Sequence, residues 1–157
     1  MFNGSLRSVA MLNWMAGRSG RVAVLADSLK AGAQEALASL EGRNLPLREA
    51  VAFRDLAGGE ALLGNAGAAN EAIRQALALA DGVDEQEHQN LRLSGAILYV
   101  ILGDEDAAVE SLEAYLQGSF GSLSPTLLRL DPFWDLLRDN PRFQALLELE
   151  RPGPVGP

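Results

Sequence analysis

Apolar residues recur along this chain at three- and four-residue spacing, and no sustained run of apolar and polar alternation interrupts them. That periodicity predicts an all-α fold. Val22, Leu25, Leu29, Ala33, Ala36 and Leu40 trace one helix stripe, and residues 47–63 and 66–80 hold a second and a third. Asp84, with Glu87 three positions on, predicts a capping box that opens a further helix running to Leu102. Its partner spans residues 105–117. Gly42, Gly64, Gly82, Gly103 and Gly118 each follow an apolar stripe, where a residue that tolerates positive φ ends a helix. The glycines therefore divide the chain into antiparallel helical hairpins.

Two of these hairpins share a spacing. Around Gly64 stand Ala57, Leu63, Ala69, Ile73 and Leu77, and at the same offsets around Gly103 stand Ala96, Leu102, Ala108, Leu112 and Leu116, 39 residues on. Matched small, large and turn-forming positions are the mark of stacked helical units that cannot bury their apolar faces alone. Beyond Gly118 the pattern changes. Ser124-Pro125, Asp131-Pro132 and Asn140-Pro141 each put a capping side chain before a proline at a first helical position, so short helices should follow in close order. Trp134, Leu137, Phe143, Leu146 and Leu147 are expected to cover the hairpin of residues 91–116. The tail, residues 151–157, has three prolines and two glycines and is expected to be disordered.

The residues about Leu63-Gly64 and Leu102-Gly103 resemble the tetratricopeptide repeat family. Ala96, Tyr99, Gly103, Asp104, Ala108 and Leu112 fit its pattern, as do Ala57, Gly64, Ala69, Ile73 and Ala76. Glu60 stands where the family prefers an aromatic, Asp81 where it often has proline, and the spacing of 39 exceeds its usual length of about 34. The segment Leu130-Asp131-Pro132-Phe133-Trp134, continued through Asn140-Pro141-Arg142-Phe143, is similar to the closing motif after the last repeat in many bacterial signalling proteins. The resemblance implies a short stack of hairpins within a single domain, residues 1–150. It would comprise a degenerate helix pair at 1–43, repeats at 47–80 and 84–117, and capping helices at 122–148. It also implies a non-catalytic protein-interaction or scaffold module, on this reading the C-terminal part of a larger signalling protein.

Composition narrows the partners. The 157 residues include no cysteine, which excludes disulfides and thiolate metal sites. The net charge of −8 is uneven: residues 1–57 hold seven bases against five acids, residues 58–157 six against sixteen. An acidic surface repels phosphate backbones, so no nucleic acid is expected, and a partner docking on the acidic half should be basic. The longest apolar stretch, residues 93–102, is about half a membrane span, and Asn13 breaks the apolar patch near the start before it could serve as a signal peptide. The expectation is a cytoplasmic protein without membrane partners, for which the sequon Asn3-Gly4-Ser5 has no consequence. Homo-oligomers remain open.

No motif asks for catalysis. His88, alone among the carboxylates Glu85 and Glu87, reads as a solvated helix residue. Asp104-Glu105-Asp106 reads as a helix start rather than a calcium loop, and Gly64-Asn65-Ala66-Gly67 as a turn. A catalytic reading would need Asp55 and Glu60 to converge in a cleft. Neither enzyme activity, cofactor nor metal is expected. Trp134 and Phe143 read as core, and Trp14, at the far end of the chain, as either a cover for the start of the stack or an exposed docking residue. In such arrays the first helix of each unit reads the partner on the inner face. Here that face would carry Val51, Arg54, Gly58, Leu62, Asn90, Leu93, Ile97 and Ile101. Its apolar character suits a protein or an amphipathic peptide, or occupation by the chain's own helices. The alternative function is a sensor that binds a small apolar ligand between helices, in an enclosed pocket beside Ile97 and Trp134.

Overall fold

The computed structural model describes residues 3–118 and 123–149, and these residues form an all-helical chain. The helices are α1 (Asn3–Met15), α2 (Ser19–Leu40), α3 (Pro46–Leu62), α4 (Ala66–Ala80), α5 (Glu85–Leu102), α6 (Glu105–Leu116), α7 (Pro125–Leu130) and α8 (Pro141–Leu147), with a 3-10 helix (Pro132–Leu137) between the last two. Residues 151–157, expected to be disordered, lie outside the described residues, as does residue 122 at the expected start of the capping helices.

The α5–α6 turn shows how the sequence ends one helix and starts the next. Gly103 adopts φ 75°, and the amides of Gly103 and Asp104 donate back to Val100 and Tyr99 at 3.1 and 2.9 Å, satisfying carbonyls that the helix end would leave open. Asp104 then caps α6 by accepting from the Ala107 amide at 3.1 Å. Gly118 departs from expectation: its backbone is outside the left-handed region, and the buried Gln89 side chain fills the space a Cβ would need. The constraint at Gly118 is thus the seat of a side-chain tip rather than turn geometry.

α3 packs between α2 and α4, α5 lies against both α3 and α4, and α6 pairs with α5. Two apolar clusters follow. The first is built mostly from alanine, with Ala50, Ala57, Ala61, Ala69, Ala72, Ala76 and Ala80 around Ile73, Leu91 and Leu98. Small side chains let α3 and α4 approach closely. Glycine does the same between α2 and α3: a Cβ at Gly59 would stand 2.9 Å from the Ala26 carbonyl oxygen and 3.1 Å from the Lys30 amide nitrogen. Glu60, one residue on and 6 % exposed, meets the Lys30 ammonium at 2.7 Å and accepts from Asn65 at 2.7 Å. An ion pair thus takes the position where the resembled family prefers an aromatic ring.

The second cluster joins Ala96, Val100, Ala108, Val109 and Leu112 of α5 and α6 to Leu128, Phe133, Trp134, Leu137, Phe143, Leu146 and Leu147. The closing residues pack where the sequence placed them. Ser124, Asp131 and Asn140 each cap the helix that follows, with proline at its start. Arg129 donates to the Leu147 carbonyl at 2.7 Å, Arg138 to the Arg129 carbonyl at 2.6 Å, and Arg142 grips Glu113 of α6 at 3.1 and 2.6 Å.

α1 corrects the linear picture of the chain's start. Met11 and Trp14 pack against the second cluster, and the Trp14 ring lies 6.1 Å from that of Phe133. Trp14 is neither a cover for the far end nor exposed. The short turn at Gly17 folds α1 back on α2 and α3, and its apolar side reaches the closing segment.

Candidate functional site

A trough opens where the second half of α2 faces the first halves of α3 and α5. Its volume is about 1010 Å³. α2 contributes Gly32, Glu35, Ala36, Ser39 and Leu40, α3 contributes Leu47, Arg48, Val51, Ala52 and Asp55, and α5 contributes Asp84, Gln86, Glu87 and Asn90. Helical spacing explains the α3 wall, since residues 48, 51, 52 and 55 fall on one face. The floor is apolar and the rim is polar, with Glu35, Ser39, Arg48, Asp84, Gln86 and Asn90 all exposed.

The eight residues expected to form one partner-binding face divide between separate settings. Val51 and Asn90 line the trough. Leu62, Ile97 and Ile101 lie instead around a small space of about 70 Å³, together with Gly58, beneath Arg7 and Met11 of α1. Leu93 is half-buried against the cluster that also receives Met11 and Trp14. The chain's own first helix therefore covers the apolar half of the expected face, and the half that stays open is the more polar one. The covered space is far below the ~300 Å³ that small-molecule sites start from. It does not touch Trp134.

Arg54 stands at the divide. Its guanidinium serves two carboxylates at once, Asp55 Oδ1 at 3.4 Å and Glu87 Oε1 at 3.6 Å. Arg7 approaches from α1 and donates to Ser94 Oγ at 3.4 Å. Burial lowers the Arg7 pKa, the neighbouring Arg54 charge lowers it further, and Asp55 and Glu87 oppose both. These pairs are long for charge-assisted contacts, and the Arg54 Nε and Glu87 Oε1 atoms are buried with no hydrogen bond. The capping box is only half made for the same reason. Asp84 accepts from the Glu87 amide at 2.8 Å, but the Glu87 carboxylate turns to Arg54 and accepts from Asn90 at 3.2 Å.

Other candidate positions resolve locally. The His88 side chain is only 13 % exposed and lies 3.8 Å from Asp81, so it is tucked against the α4–α5 turn rather than solvated as expected. Asp55 and Glu60 do not converge: five residues apart on a helix they point about 140° from each other, Asp55 to the trough and Glu60 to Lys30. Asp104, Glu105 and Asp106 are exposed at the start of α6. Trp134 and Phe143 are buried, with Trp134 meeting Phe133 edge-on at 4.9 Å. Among the described residues no three histidine, aspartate or glutamate side chains are placed to hold a metal ion, and no helix is long and apolar enough to cross a membrane.

Sequence reasoning did not single out Arg7, Glu35 or Asp84 as part of the site. Arg7 carried a readable signal, being a cation set among apolar residues on α1, but the distance of its partners along the chain hid it.

No family model, no curated protein and no solved structure matches this chain.

Proposed function

We propose that this chain is a non-catalytic interaction module of the tetratricopeptide-like kind, which holds a segment of a partner protein in the trough between α2, α3 and α5. The observation that carries this reading is the division of the inner face. α1 already fills its apolar half, while the other half stays open beside Val51 and Asn90, with apolar floor and polar rim as at protein interfaces. The alanine-rich cluster packs the helices that carry it, and the closing segment covers the α5–α6 hairpin. A role within a larger signalling protein remains part of the proposal, and rests on the likeness of residues 130–148 to closing motifs in such proteins.

The test is selection of peptides from a phage-displayed random library on the intact chain, followed by hydrogen exchange of the chain with each selected peptide bound. Slowed exchange in residues 47–55 and 84–93 is the expected result. Failure to select any peptide, or protection confined to other surfaces, would overturn the assignment of the trough.

A further inference from the structure

The partner segment's chemistry follows from the charges around the trough, on the premise that the trough is the partner site. Four carboxylates line it, Glu35, Asp55, Asp84 and Glu87, against one lining guanidinium, Arg48. Two further cations stand behind the wall. Arg54 contacts Asp55 and Glu87, and Arg7 lies in the same field. Their reach stops there. Glu35 on the α2 wall and Asp84 at the head of the α5 wall are exposed, and among the described residues neither is in an ion pair. Negative charge is therefore left unmatched on both sides of the opening, with an apolar floor of Ala36, Leu47 and Val51 between.

Asp55 and Glu87 are themselves undersupplied, because one guanidinium is shared between them at distances beyond a good hydrogen bond. A cation arriving from the open side would improve the field at all four carboxylates. An anionic segment would meet the rim with like charge and gain only Arg48. The chain's net charge of −8 acts in the same direction at long range. A field of one sign focused by a concave wall raises the encounter rate of the opposite charge.

We infer that the trough accepts a cationic segment of a partner protein, one or two lysine or arginine side chains lying between Glu35 and Asp84 with neighbouring apolar side chains on Leu47 and Val51. Arg7 and Arg54 keep Asp55 and Glu87 from repelling each other while the trough is empty.

The peptides selected from the random library on the intact chain provide the probe. Those that protect residues 47–55 and 84–93 should be enriched in lysine and arginine beside leucine, methionine or phenylalanine. Synthetic copies should bind Glu35→Gln/Asp84→Asn about tenfold or more weakly, and lose affinity as salt is raised. This pair leaves the fold in place: Glu35 is exposed, and asparagine caps a helix as well as aspartate. A control that removes two exposed charges elsewhere, Glu105→Gln/Asp139→Asn, should leave affinity within about twofold, since charges beyond a Debye length are screened. Peptides that protect the trough but are neutral or acidic, or that bind both double variants alike, would overturn the cationic partner while leaving the trough as an interaction site. Peptides that protect no part of the trough would overturn the site itself.

Discussion

Two glycines within helices have opposite meanings here. At Gly59 the atoms nearest an added Cβ are the Ala26 carbonyl oxygen at 2.9 Å and the Lys30 amide nitrogen and Cβ at 3.1 Å, none of which can step aside as a side-chain tip can. Gly59→Ala should therefore lower stability by about 1–3 kcal/mol. Gly67, in the first turn of α4, has nothing within 4 Å of the same atom, and Gly67→Ala should raise stability by about 0.4–1 kcal/mol. Paired denaturant melts check both, and matching signs would remove the account of α2–α3 contact. Glu60 gives a pH dependence. Burial alone would raise its pKa, but the hydrogen bonds from Lys30 and Asn65 outweigh burial and hold the carboxyl below its ordinary value. A carboxyl depressed by folding stabilises above its unfolded pKa, and that contribution is lost as the pH falls through the folded value. The stability gap between the parent chain and Glu60→Gln should thus be constant from pH 7 to about 5 and narrow below about 4.5. A gap that widens on acidification would show that the ion pair does not hold Glu60 ionised.

Among the elements, the closing segment combines legible caps with legible apolar spacing. Ser124, Asp131 and Asn140 are each followed by proline, and each was readable as a helix start because capping is a contact within three residues. Trp134→Ala should cost about 3–5 kcal/mol, because the ring is 3 % exposed and rests on Phe133 within the larger cluster. A thermal melt unchanged by that substitution would detach the segment from the fold. The helix boundaries of α3 through α6 were legible for the same local reason, from periodicity and turn glycines. What the sequence concealed was tertiary. The cover that α1 places over Leu62, Ile97 and Ile101, the crowding of Gly118 by Gln89 and the seat of His88 against Asp81 all depend on residues from separate elements meeting. Periodicity gives a helix its apolar face without saying which neighbour receives it.

For the whole molecule, the contact between Trp14 and Phe133 changes what kind of object the chain is. An array in which each hairpin touches only its neighbours is a line, and lines can fray from either end and fold from any point. Here the first helix touches the segment that closes the structure, and Arg7 reaches Ser94, 87 residues away. The line becomes a loop with its ends tied. Tying the ends raises the mean sequence separation of contacts, so folding should be slower than a helical array of this length would suggest. It also sets an order in synthesis: α1 is made well before Phe133, so this contact waits until the helices between them have been made. Unfolding should be correspondingly shared, with tryptophan fluorescence, which reports Trp14 and Trp134 at the junction, following the same denaturant curve as the helical signal of the whole chain. Separate curves would mean that the contact between α1 and the 3-10 helix slips before the middle gives way. If the curves coincide, the helices between are timed by the contact of Trp14 with Phe133.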